Sequence, residues 1–132
     1  MKQFGFSIGE RIKSKNDSEL VYKNGEVLFS STQKFKAVFF IRRGHNESGI
    51  KTAFAVSSKA GNAVWRNRIK RLMRESFRLN KNEIFPEEVQ KEIFLLVVFS
   101  PNSINQKNSK KIFLKEVMPE MIELMNLIRV KL

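Results

Sequence analysis

The chain has 132 residues, 42% of them hydrophobic, which suits one compact domain and argues against wholesale disorder. It has no cysteine and one histidine, His45, which excludes disulfides, thiolate metal sites, a cysteine nucleophile and a multi-histidine centre. The net charge of +12 is lopsided: residues 1–81 carry 18 basic and 6 acidic side chains, and residues 82–132 carry 7 of each, so a polyanion is the expected partner, nucleic acid ahead of an anionic membrane.

In chain order, Ile8 to Tyr22 reads as one or two short helices, stopped by Asn24-Gly25. Three strands follow: a short one over Glu26 to Ser31, Phe35 to Ile41 (FKAVFFI), and Lys51 to Ser57 (KTAFAVS). In the third, alternation puts Thr52, Phe54 and Val56 on one face and Ala53 and Ala55 on the other. His45-Asn46-Glu47-Ser48-Gly49 is a turn or loop. Gly61-Asn62 opens a long helix that reaches about Leu79, and Asn80-Lys81-Asn82 closes it. Glu83 to Lys91, with Pro86 inside, reads as a loop or short turn. Ile93 to Phe99 (IFLLVVF) has the continuous apolar pattern of a buried central strand. From Lys107 the tail is helical by period, with a stripe of Leu114, Val117, Met118, Met121, Leu124, Met125 and Ile128. Pro119 is expected to kink that helix or mark its restart. The order α-β-β-β-α-β-α gives an α+β fold: one domain over residues 1–132, with a basic RNA-binding part at 1–81 and a C-terminal helix over 107–132.

The long helix is the informative element. On a wheel of about 100° per residue with Arg66 at zero, Trp65, Ile69, Leu72, Met73 and Leu79 fill an arc from roughly 220° to 340°. Arg66, Asn67, Arg68, Lys70, Arg71, Arg74 and Arg78 fill the arc between about 0° and 200°, with Phe77 intruding at the boundary. Like charges four residues apart destabilise a helix by a few tenths of a kcal/mol each. A solvated face would mix signs; this one makes sense with phosphates along it, and arginine suits their bidentate geometry. Upstream, Ser57-Ser58-Lys59-Ala60-Gly61-Asn62 joins strand to helix, with Asn62 a candidate N-cap and Ser57, Lys59 and the free amides candidates for a further phosphate.

The run from Val56 to Glu75 (VSSKAGNAVWRNRIKRLMRE) resembles the bacterial ribonuclease P protein subunit and its RNR motif. The resemblance implies a small α/β sandwich with a left-handed crossover. It implies a protein that binds a catalytic RNA and the 5′ leader of precursor tRNA, so that the ribonucleoprotein endonuclease releases the mature tRNA 5′ end. By the same resemblance, hydrolysis is expected from the RNA and from Mg2+ bound mainly by it, with no catalytic protein side chain and no protein metal site expected. By position, Ser57, Lys59, Gly61, Asn62, Arg66, Asn67, Arg68, Lys70, Arg71 and Arg74 fall on the segment used against the catalytic RNA. Tyr22 falls on an aromatic of the first helix that lines the leader cleft, and Phe39, with Phe40 as the other choice, supplies a second ring. Two positions depart from the pattern: Ser58 stands where the family usually has a second lysine, and Ser18 where the first helix often has another phenylalanine.

Two other readings compete. A generic basic RNA-binding module, such as a ribosome-associated protein, explains the charge equally well. A self-sufficient nuclease is poorly supported, because Glu10, Asp17, Glu19, Glu26, Glu47 and Glu75 offer no convincing pair beside the basic helix. No apolar run approaches the ~20 residues of a membrane span. The N-terminus lacks a signal peptide's apolar core, so a cytoplasmic location without membrane contact is expected. The Met-rich tail is read as core or as a patch for self-association.

Overall fold

The computed structural model describes residues 11–12, 14–43 and 48–132. His45 and Ile8 lie outside the described residues. The elements are α1 (Lys15–Asn24), β1 (Glu26–Phe29), β2 (Phe35–Arg43), β3 (Gly49–Phe54), α2 (Ala63–Ile84), α3 (Glu87–Glu92), β4 (Ile93–Pro101) and α4 (Leu114–Val130). The expected order holds, with α3 added where a loop or short turn was read. Pro86 ends one helix but also starts the next, since the first turn needs no N–H from it.

The sheet order is β1-β2-β4-β3. β2 runs antiparallel to both β1 and β4, whereas β3 and β4 are parallel neighbours joined through α2. Arg11 and Ile12 extend the edge beyond β3, where the Ile12 amide donates to the Thr52 carbonyl at 3.0 Å.

The two faces of the sheet serve different helices. Phe35, Ala37 and Phe39 of β2, Ile50 of β3, and Ile93, Leu95, Val97 and Phe99 of β4 face a core shared with α2 and α4. Phe94, Leu96 and Val98 point the other way, against Val21 of α1. Period-two alternation produces this division, so β4 is apolar on both sides because both are covered. Ala53 and Ala55 pack on the α1 side, while Phe54 and Val56 pack on the α2 side.

α1 starts at Ser14, whose Oγ accepts from the Asp17 amide at 3.4 Å, and it stops where the Gly25 amide donates to the Val21 carbonyl at 2.8 Å. The stop is not a left-handed glycine cap, because Gly25 has φ −78° and ψ 159°. Glycine is needed there for close approach: a Cβ would lie 2.2 Å from the Val21 carbonyl oxygen and 3.0 Å from that of Phe39.

α2 runs one turn past its expected end. Asn80 stays helical because its Nδ2 donates to the Ser76 carbonyl at 2.8 Å, and Lys81 supplies the carbonyl that accepts from the Phe85 amide. α4, in contrast, begins at Leu114, so residues 107–113 are irregular rather than helical. It runs through Pro119 without a break. Lys115, whose carbonyl loses the proline's N–H, is exposed, so water can serve that carbonyl. Val117, Met121, Leu124, Met125 and Ile128 are buried, which makes the methionine stripe core.

Candidate nucleic-acid interface

Trp65, Ile69, Met73, Ser76 and Phe77 are the buried side chains of α2. Phe77 is therefore a centre of the apolar face and not an intruder. Its ring meets Phe54 edge-on at 6.1 Å and Phe99 at 5.7 Å. Ser76 is tolerated beside it because its hydroxyl donates to the Leu72 carbonyl at 2.8 Å. Leu79, assigned to the apolar arc, is exposed.

The opposite face carries Arg66, Asn67, Lys70, Arg71 and Arg74. Among the described residues, none of these four cations lies within salt-bridge distance of a carboxylate. The Arg66 Nε is buried and has no hydrogen-bond partner among the described residues. Arg74 reaches the β3 edge, where it lines a cavity of about 200 Å³ with Arg11, Ile12, Thr52, Ala53 and Phe54. Two of the three acids of α4 are committed elsewhere: Glu123 accepts from the Ser31 amide at 2.9 Å, and Glu120 accepts from the Thr32 hydroxyl.

Arg78 closes the expected stripe differently. Its Nε donates to Glu75 Oε2 at 3.0 Å, and its Nη2 is paired with Glu75 Oε1. The hydrogen bond from Arg78 holds the Glu75 carboxyl below its ordinary range and raises the Arg78 guanidinium. The pair is intact above the ordinary carboxylate range and is lost as pH falls through the lowered Glu75 value. It marks where the un-neutralised face ends.

The turn before α2 has a structural role beside any phosphate contact. Asn62 caps the helix, its Oδ1 accepting from the Trp65 amide at 2.9 Å. Ser57 Oγ accepts from the Lys59 amide at 3.2 Å, leaving the Lys59 side chain exposed. Gly61 allows close packing, since a Cβ would come within 2.9 Å of the Trp65 ring and 3.0 Å of Gln106. Arg68 is likewise occupied within the fold: Nε and Nη2 donate to the Ile112 carbonyl at 3.1 and 2.8 Å, and its guanidinium lies 5.6 Å over the Phe113 ring. Arg68→Ala and Arg68→Lys are both expected to destabilise the fold by about 1.5–3 kcal/mol, since neither keeps the forked charged bond. Both should leave most of the salt dependence of RNA binding in place. Thermal melting beside a salt titration checks this, and an undiminished melting temperature would contradict it.

The second candidate site lies on the α1 face of the sheet. Tyr22 is 60% exposed on α1. Phe39 is not on this face: it is 3% exposed and belongs to the core under α2 and α4. Alternation gives the α1 side to Phe40 instead, which packs near Val21 and carries the Arg42 guanidinium 5.7 Å over its ring. Pairing of Val27 with Val38 and of Phe29 with Lys36 puts two more exposed apolar side chains on this face. The sequence marks this segment only as a short strand, and the pairing of β1 with β2 is what sorts Val27 and Phe29 to one face.

Among the described residues, no three His, Asp or Glu side chains gather as a metal site, and no helix is long and apolar enough to cross a membrane. The α2 face offers arginine, lysine and one asparagine, which is a donor set for phosphate and not for a divalent cation.

A small α+β fold that shows, among the described residues, an arginine-rich helix face without carboxylate partners has the electrostatic character of a nucleic-acid-binding protein. The family model described as Ribonuclease P matches residues 6–120. The chain is 32% identical over 108 residues to the ribonuclease P protein component of Macrococcus caseolyticus, covering 82% of this chain and 86% of that protein. It is 35% identical over 79 residues to the one from Staphylococcus epidermidis, covering 60% of this chain and 65% of that protein. The RNase P protein structure from Staphylococcus aureus superposes with a TM-score of 0.67 at 22% identity, covering 92% of this chain and 96% of that one, and shows the same fold. This chain belongs to the ribonuclease P protein family. It is a protein subunit of an endoribonuclease that partners ribonuclease P RNA and takes part in processing the 5′ leader of precursor tRNA. The generic basic module is not favoured.

Proposed function

We propose that α2 presents Arg66, Asn67, Lys70, Arg71 and Arg74 to ribonuclease P RNA, with Ser57 and Lys59 adding contacts at the helix start. The observation that supports this most is the absence of carboxylate partners along that face among the described residues. Uncompensated repulsion along a helix is relieved when phosphates replace the missing acids. Gly61, Asn62 and Arg68 act by holding the turn, the helix start and the 102–113 segment in place. The RNA holds the Mg2+ and supplies the hydrolytic chemistry. The protein supplies charge neutralisation and substrate positioning, in the cytoplasm, as a single domain. Competition binding tests the reading: ribonuclease P RNA should displace the protein from an unrelated structured RNA of equal length, and equal affinity for both would favour a generic module.

The precursor's leader is assigned to the α1 face, along Tyr22, Val27, Phe29 and Phe40, with Lys36 and Arg42 beside them. Base–aromatic stacking is worth about 1–3 kcal/mol per base. Tyr22→Ala in the assembled ribonucleoprotein should weaken binding of a leader-bearing precursor roughly 5- to 150-fold. Mature tRNA should bind as before. Equal losses on both would place Tyr22 outside the leader's path.

A further inference from the structure

Chain order places Lys107, Lys110 and Lys111 in the neutral part of the protein, but the fold carries them to the start of the basic helix. Four contacts fasten segment 102–113 there. The Gln106 amide donates to the Ala60 carbonyl, and Gln106 Oε1 accepts from the Asn62 amide, each at 2.8 Å. The Trp65 indole donates to the Ser109 carbonyl at 2.9 Å, and Arg68 grips the Ile112 carbonyl. Asn105 and Asn108 brace the loop from within by reciprocal amide bonds of 2.9 and 3.0 Å.

The loop is as one-sided in charge as α2. No acidic residue occurs between Glu92 and Glu116. All three lysines are exposed, and none has a carboxylate partner among the described residues. Trp65 and Arg68, where the loop is fastened, stand at roughly 200–260° on the helix wheel, just past the edge of the cationic arc. The loop thus widens that arc on its outer flank. Phe113, 48% exposed, ends the cationic run with a ring that Arg68 overlies.

We propose that residues 107–113 form a second RNA-contact element that takes a short single-stranded stretch of ribonuclease P RNA. Lys107, Lys110 and Lys111 hold successive phosphates, and the open part of the Phe113 ring stacks one base. A cationic track with an aromatic platform is the general form of single-strand binding. The inference rests on the RNA-binding reading of α2, and its test separates the two.

Four full-chain variants would be titrated into ribonuclease P RNA across a range of salt: Lys107→Ala/Lys110→Ala/Lys111→Ala, Phe113→Leu, Phe113→Trp, and Arg66→Ala/Lys70→Ala/Arg74→Ala. The loop lysine variant should melt like the parent and lose about 2 from the slope of log affinity against log salt, at about 0.7 per single-strand phosphate. Phe113→Leu should bind at least about fivefold more weakly with the slope kept, and Phe113→Trp should restore binding. If the loop lysine variant and Phe113→Leu both bind like the parent while the α2 variant does not, this proposal falls and the α2 reading stands. A loop that docks an acidic protein gives that same result. If no variant loses affinity, both readings fall.

Discussion

Replacing Arg66, Lys70 and Arg74 together with alanine is expected to weaken binding to ribonuclease P RNA by about a hundredfold or more near 0.1 M salt. Each phosphate contact contributes about 0.7–0.9 to the slope of log affinity against log salt, so three lost contacts remove about 2–3 from that slope. The deficit should shrink as salt rises. Stability should move the other way or not at all. These side chains repel one another at four-residue spacing, at a few tenths of a kcal/mol for each pair, and that repulsion is relieved in the variant. A variant that binds less and melts no lower separates an interface from a structural helix. Salt dependences that run parallel for parent and variant would remove the phosphate contacts from this face.

Phe77→Ala is the second large effect, and it acts on the scaffold. The ring is 1% exposed and joins α2 to the sheet through Phe54 and Phe99, whose own rings stack at 6.0 Å. Truncating a buried phenylalanine costs about 3–5 kcal/mol, a large share of the 5–15 kcal/mol typical of a whole domain. The expected result is a much lower urea midpoint at an unchanged slope. RNA affinity per folded molecule should fall little, because no contact residue is removed. A loss below about 1 kcal/mol would mean that this cluster does not hold the basic helix to the sheet.

The element order, the cationic helix face and the capping asparagine were all legible, because they are carried by local patterns. Alternation in KTAFAVS, the uniform run IFLLVVF and the arginines spaced along α2 each depend on neighbours close in sequence. The misreadings come from contacts that sequence distance hides. Phe77 sat at an arc boundary on the wheel, but Phe54 and Phe99 wait for it across the interface. Phe39 and Phe40 were indistinguishable by spacing, and only the register of β2 against β4 assigns Phe39 to the α2 side. Arg68 matches the RNA-contact segment by position, and its grip on a carbonyl 44 residues away is a structural role that sequence distance hides. Residues 107–113 looked helical by period, yet their polar groups are drawn into contacts with the start of α2. The charge split at residue 81 misled for the same reason, since three of the later lysines return to the basic face.

Cleavage of a precursor tRNA at low magnesium tests most directly whether the protein serves the RNA's catalysis. The reaction would be run with ribonuclease P RNA alone, with the protein alone, and with both. Rapid release of the correct 5′ leader only in the mixture is the result predicted, with no cleavage by the protein alone. Binding of the RNA without any gain in its cleavage rate, or cleavage by protein freed of RNA, would contradict it.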